Sequence, residues 1–185
     1  MATYFINTTY VKHNTPLNNS VEEGYLRPAI MVAQDLRIVP HLGDSLRDKL
    51  STDIQTNSVS GAYETLLNDY IRPALAWWSV FEYLPDAMTK IDNGGLGQRL
   101  SDDVSPVSSV EYNRLRQVSE DRAEHYTNRL IEYLCENTSL FPELRDNTNE
   151  QRSPVWMRSG RGALSISNGH NTSRTHIPRN WIYGD

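Results

Sequence analysis

Residues 70–81 read Tyr70-Ile71-Arg72-Pro73-Ala74-Leu75-Ala76-Trp77-Trp78-Ser79-Val80-Phe81, and their spacing decides the fold. With Tyr63, Leu66 and Leu67 ahead of them, apolar side chains recur at three- and four-residue steps through to Leu84, the period of an α-helix. Trp77 widens the stripe, so that between Ile71 and Phe81 the helix is apolar on most of its circumference. Such a helix is central in a bundle or sits at a subunit contact. Pro73 lies within it, where a proline removes a backbone donor, clashes with the preceding turn and costs about 3 kcal/mol. Packing of the apolar residues around the proline, within the subunit or against a neighbour, must offset that cost.

Nearly the same phrase stands 45 residues earlier as Tyr25-Leu26-Arg27-Pro28-Ala29-Ile30, and the following prolines, Pro40 and Pro85, keep the same offset. The flanks differ: Val32-Ala33-Gln34-Asp35 follows the first copy and Ala76-Trp77-Trp78-Ser79 the second. The phrase therefore marks two proline-kinked helices of one bundle rather than a duplicated unit. Ser20-Val21-Glu22-Glu23 reads as a capping box that starts the first helix, and Leu26, Ala29, Ile30, Ala33 and Leu36 form its apolar face. Pro28, in its early turns, predicts a kink or a bridging 3₁₀ turn. Pro40 suits the first turn of a second helix, with Leu42, Leu46, Leu50 and Ile54 on one stripe, and the polar run 53–58 reads as a loop. Arg27 and Arg72 are expected to pair with acidic residues across a helix junction or a subunit boundary.

Asp92-Asn93-Gly94-Gly95-Leu96-Gly97 is the strongest breaker in the chain and predicts a flexible loop or hairpin. Ser108 or Ser109 then caps a helix in which Leu115, Val118, Arg122, Tyr126, Leu130, Tyr133 and Leu134 trace one face and charged residues cover the rest. Periodicity ends at Pro142. Beyond it the chain is rich in Asn, Ser, Arg and Gly, yet carries Val155-Trp156-Met157 and closes on Trp181-Ile182-Tyr183, the aromatic spacing of a polar arm with docking anchors, for which this subunit's own core is one candidate among several. The expected architecture is all-α: residues 1–143 a small bundle of four to five helices, residues 144–185 an extended C-terminal arm.

Composition narrows the function. The 185 residues are 38% hydrophobic with a net charge of −5 and a mean hydropathy of −0.59, enough for one core with some chain outside it. An acidic balance gives no general reason to grip nucleic acid, which needs clustered Lys and Arg. Cys135 is the sole cysteine, so an intrachain disulfide and a thiolate metal cluster are excluded and a reduced compartment is expected. No stretch is long and apolar enough to span a membrane, and the N-terminus lacks the pattern of a signal peptide; the glycosylation-type triplets at Asn7, Asn18, Asn137 and Asn171 are accordingly read as chance.

Candidate chemistry is sparse. Asp121 and His125 stand about one helical turn apart, but carboxylates and a histidine on a charged helix face ordinarily just meet water, and a small hydrolase built on Glu120 to His125 is the weakest of the alternatives. Gly94-Gly95-Leu96-Gly97 lacks the Gly-Lys-Ser/Thr ending of a phosphate loop. No serine sits in a nucleophile elbow, and Cys135 reads as semi-buried packing. No catalytic residue, metal site or cofactor is expected, and the chain is read as a non-enzyme. An alternative from another class is a helical nucleic-acid-binding protein using Arg158, Arg161, Arg174 and Arg179 of the arm.

The order of these blocks resembles the head-tail connector, or adaptor, proteins of tailed bacteriophages. The residues that carry the likeness are Thr9-Tyr10-Val11-Lys12, Pro28-Ala29-Ile30 with Ala33-Gln34-Asp35, Leu42-Gly43-Asp44-Ser45-Leu46, Tyr63 to Leu67 with Ile71 to Ala76, and Tyr126, Leu130, Tyr133-Leu134 and Asn137 leading to Phe141-Pro142-Glu143. The likeness covers Thr3 to Glu143 and is one of pattern and order. It implies a helical subunit in a homo-oligomeric ring, commonly twelvefold, beneath the portal of the virion. Such a ring extends the DNA channel without sequence-specific binding and gives the tail or other neck proteins a place to attach. The long arm departs from the usual compact form. Arg27, Arg72, Trp77, Trp78, Trp156, Arg158, Arg161, Trp181 and Tyr183 are the residues expected at subunit or partner contacts, in a protein made in the host cytoplasm and carried in the virion neck. An acidic channel wall would repel DNA and let it slide, where a basic one would hold it.

Overall fold

The computed structural model describes residues 3–92, 95–98, 108–144 and 154–158. The chain is an all-α bundle built from two long bent rods and a third long helix. A short helix α1 (Thr8–Asn14) opens it. The first rod runs through α2 (Glu23–Ala33), a π turn (Gln34–Ile38) and α3 (Val39–Gln55). The second runs through α4 (Ala62–Thr65), another π turn (Leu66–Ile71) and α5 (Arg72–Met88). A small antiparallel pair follows, β1 (Thr89–Asp92) with β2 (Gly95–Gln98), in the register Asp92 to Gly95 and Thr89 to Gln98. Then come α6 (Ser109–Glu136), two 3₁₀ turns (Thr138–Leu140 and Pro142–Leu144) and α7 (Val155–Arg158).

Each π turn is followed, two residues on, by a proline. Val39 N–H donates to the Gln34 carbonyl and Arg72 N–H to the Leu67 carbonyl, each five residues back, and the next residues are Pro40 and Pro73. A proline cannot donate to the carbonyl four residues behind it, and its ring collides with that carbonyl in a regular helix. The wider turn relieves the collision while the rod continues. Pro28, in contrast, lies within the uninterrupted α2 and is exposed, and Pro85 lies within α5. The expected kink or 3₁₀ turn at Pro28 is therefore corrected: the departure from regular helix begins six residues later and is a widening, not a tightening. The structurally equivalent prolines are Pro40 and Pro73, which the 45-residue offset does not pair.

The widened turns place two polar side chains. Gln34 is buried; its Oε1 accepts from Phe5 N–H at 2.9 Å and its Nε2 donates to the Thr3 carbonyl at 2.9 Å. Arg72 Nε donates to the Phe5 carbonyl at 3.2 Å, and Gln55 Nε2 donates to the Thr3 hydroxyl. Thr3 to Phe5 is thus hydrogen-bonded from both rods. Phe5 and Ile6 are buried in the core beside it, and Asn7 caps α1 by accepting from Tyr10 N–H at 2.7 Å. Helix α1 is seven residues long and turns only Thr8 and Val11 inward, too short a pattern to read as a helical period in the sequence.

Several expected boundaries move. The Ser20 capping box does not form: α2 starts at Glu23 after Glu22, which makes no side-chain cap, and Ser20 N–H instead donates to Asn18 Oδ1. The expected loop at 53–58 begins later, because α3 continues to Gln55 with Asp53 buried and clamped by Lys49 Nζ at 2.6 and 2.7 Å. Inside α3, Gly43 adopts φ 75° and ψ 167°, a left-handed break that favours glycine. The centre of the bundle is α5, as its apolar circumference predicts; it packs on α1, α2 and α6 and buries residues from Ala74 to Tyr83. Replacing Gln34 by Leu would strand the Phe5 amide and the Thr3 carbonyl. We expect a loss of about 1–3 kcal/mol in urea denaturation, with Gln34→Glu failing to restore it because the carboxylate cannot donate to Thr3.

Candidate interaction surface

The long helix α6 begins at Ser108, whose hydroxyl accepts from Glu111 N–H at 3.2 Å. Its inward residues are Ser119, Ala123, Thr127, Leu130 and Leu134. The face expected from the sequence holds in the second half of the helix, where Leu130 and Leu134 are buried and Tyr126 and Tyr133 pack on the core, but not in the first, where Leu115, Val118 and Arg122 are exposed and small or hydroxyl-bearing residues take the buried positions. The reason is the partner. Aromatic side chains of α5 fill the space, so α6 must present small groups to them, and Thr127 Oγ1 accepts from the Trp78 indole N–H at 2.9 Å while donating to the Ala123 carbonyl at 2.8 Å.

Arginines seal the flanks of this seam. Arg122 lies over the Trp77 ring at 4.5 Å, Arg129 near Tyr70 and Tyr126 at 5.7 and 5.8 Å, and Arg116 over Phe81 at 4.5 Å. Arg37, from the first π turn, shares the Phe81 ring with Arg116, lies over Trp78 at 4.4 Å and reaches Glu82 at 3.3 Å. Tyr70 and Tyr133 stack with centroids 4.1 Å apart. Spacing alone points to none of these stacks, although Arg122 and Arg129, seven residues apart, could have been paired in advance with the aromatic residues of the neighbouring helix.

The sequence-predicted contact residues fall in three groups. Arg27 forms an exposed ion pair with Glu23 at 2.8 Å on its own helix, and Arg72 takes the Phe5 carbonyl and the Asn68 amide oxygen; the expected acidic partners across a helix junction are replaced by a local carboxylate and by amides. Trp77 is half-buried under Arg122. Trp78 is 5% exposed with its indole satisfied internally, which makes it a core residue rather than a contact surface. Trp156 donates its indole N–H to the His41 carbonyl at 2.9 Å and packs against the core beside α3. The side chain of Arg158, and all of Arg161, Arg174, Arg179, Trp181 and Tyr183, lie outside the described residues.

The surface keeps large apolar groups in water. Val110 is 76% exposed, Leu115 46% and Leu36 64%, with Val32 and Val118 also exposed. Leu36, Arg37, His41, Glu124, Asn128 and Ile131 line an open groove of about 420 Å³ above Trp78. Burial holds the His41 imidazole below its ordinary pKa, and its buried Nδ1 has no hydrogen-bond partner among the described residues. Burial, with Glu136 and Glu132 nearby, pushes the Cys135 thiol up and away from a reactive thiolate. Asp121 accepts from Gln117 at 2.9 Å and His125 meets the Tyr126 ring edge. Among the described residues no three metal-ligating side chains converge, and no helix is long and apolar enough to cross a membrane.

A family model matches residues 38–154, from the end of the first π turn to the residue before α7. The chain belongs to that family, DUF6712, described as a family of unknown function. No curated protein and no solved structure matches the chain. The matched stretch holds α3, the whole second rod, α6 and the aromatic seam, while Thr3 to Phe5 and Gln34, which clamp the N-terminal segment, fall outside it.

Below the seam, the Tyr63 hydroxyl sits 2.9 Å from both oxygens of Glu143, and its ring meets Phe141 edge-on. Burial first, then the Glu143 hydrogen bond, pushes the Tyr63 pKa from 10.0 up to about 12. The folded protein therefore keeps this proton where an unfolded tyrosine loses it, so the contribution is whole below pH 10 and is lost as the pH rises through about 12. The stability gap between the wild type and Tyr63→Phe should be flat from neutrality to pH 9 and shrink between pH 10 and 12, measured by urea denaturation. Thr127→Val, which leaves the Trp78 indole unsatisfied, should cost about 1–3 kcal/mol in the same assay, with Thr127→Ser close to wild type.

Proposed function

We propose that the chain is a virion structural protein without catalytic activity, a head-tail connector subunit of a tailed bacteriophage. It assembles as a twelvefold ring beneath the portal, extends the DNA channel and gives the tail or other neck proteins a docking surface. The observation that carries this is the surface of α6 and the first π turn, where Leu36, Val110 and Leu115 stand in solvent on a subunit whose own core is already closed around α5. Side chains of this kind are costly to leave wet and fit a protein that spends its working life in contact with others. The likeness in block order over Thr3 to Glu143 supplies the kind of assembly, and the net charge of −5 suits a channel that DNA slides through.

The test is the mass of the purified chain, alone and mixed with the portal protein of the same phage, by sedimentation velocity and native mass spectrometry. A ring or a portal complex of defined stoichiometry is expected. A chain that stays monomeric at every concentration and ignores portal would sink the assignment. Truncation after Arg158 should leave the melting temperature near that of the full chain. Truncation after Arg145 removes the Trp156 anchor on α3 and should lower it by several degrees, about 2–4 °C for each kcal/mol lost.

A further inference from the structure

Two exposed arginines and two glutamates of α6 lie on opposite flanks of the helix, with Arg116, a turn before Glu120, over the Phe81 ring. Arg122 and Arg129 lie on the flank that faces Trp77, Tyr70 and Tyr126, and both are exposed. Neither makes an ion pair or a hydrogen bond to a carboxylate among the described residues. At 3.6 residues per turn, Glu120 and Glu124 lie about 140° or more round the helix from them. Glu124 borders the open groove with Leu36 and Ile131, and neither glutamate has a cationic partner among the described residues. Arg37, the cation nearest that groove, is already taken by Glu82 and the Trp78 ring. One flank therefore offers two guanidiniums beside aromatic rings, and the other offers two carboxylates near an exposed leucine.

A surface that is complementary to itself only after a rotation is what a heterologous contact requires: two different patches on each subunit, repeated around an axis. We propose that copies of this chain associate head to tail, the Arg122/Arg129 flank of α6 in one copy seating on the Glu120/Glu124 flank and Leu36 of the next. The occupant of each face is thus a second copy of the chain, chosen by charge complementarity, with Leu36 set against the aromatic side. Stacking holds the guanidiniums in place before contact, so less side-chain entropy is lost when the carboxylates arrive. The assignment rests on the ring proposed above and adds which faces make it.

The experiment uses the full chain with paired charge reversals, read by sedimentation velocity over a wide concentration range. Arg122→Glu with Arg129→Glu, and separately Glu120→Arg with Glu124→Arg, should each weaken self-association about tenfold or more, two facing charge pairs becoming repulsive. An equimolar mixture of the two variants should regain wild-type association, because each then supplies the face the other lacks, and raised salt should weaken the wild type. The acidic-face variant disturbs no aromatic stack, so it decides the matter if the arginine variant fails to fold. A wild-type oligomer indifferent to both reversals, or a mixture of folded variants that stays dissociated, overturns the face assignment and leaves the ring standing. A wild type that never self-associates, with portal or without it, overturns both.

Discussion

Two prolines govern the bundle. Pro40 and Pro73 each sit one residue beyond the start of a regular helical segment that a π turn feeds. The turn ahead of each one opens by a residue, which relieves the collision between the proline ring and the carbonyl four residues back. An extra residue shifts every later side chain by about 100° round the rod. The apolar stripe of each rod after the widening therefore faces a different direction from the stripe before it, and each rod can serve two contacts. Gln34 opens the first π turn and Arg72 follows the second, and together they hold Thr3 to Phe5 against the core.

The seam between α5 and α6 depends on the same geometry. After the second π turn, α5 presents Trp78 to Thr127 and Trp77 to Arg122. After the first, Arg37 reaches over Trp78 and Phe81 and pairs with Glu82. The large rings supply apolar area on α5, and the facing helix contributes Ser119, Ala123 and Thr127, which leave room for them. Long guanidinium side chains then cover the ring faces from both sides, their stems on apolar surface and their charges in water. This leaves Arg122 and Arg129 on one flank of α6 and Glu120 and Glu124 on the other, the asymmetry on which the proposed contact between copies rests.

Membership of the DUF6712 family places the second rod and α6 in a shared framework, and the function offered for this chain rests on its own surface and on the order of its helical blocks. The features on which the proposed assembly rests lie outside the core: Leu36 on the first π turn, Val110 and Leu115 on the leading half of α6, and the charged side chains of its flanks. Trp156, the first aromatic anchor of the C-terminal segment, lies against the subunit's own α3.

By itself the sequence determined the helical class and the central place of α5, since a three- and four-residue apolar period and a helix apolar on most of its circumference are properties of neighbouring residues. It also determined that Pro40 opens a helix and that Ser108 or Ser109 caps another. What tertiary structure alone decided is which way each helix turns. The inward face of α6 is marked by Ser119, Ala123 and Thr127 rather than by Leu115 and Val118, because burial there follows the volume of Trp77, Trp78 and Phe81 on another element. Trp78 belongs to the core and Trp77 to its edge for the same reason, although the two are adjacent and alike. The roles of Pro28 and Pro40 were likewise not legible in the repeated phrase: a proline's local constraint is the same everywhere, and only the packing around the rod settles whether the helix widens to accommodate it.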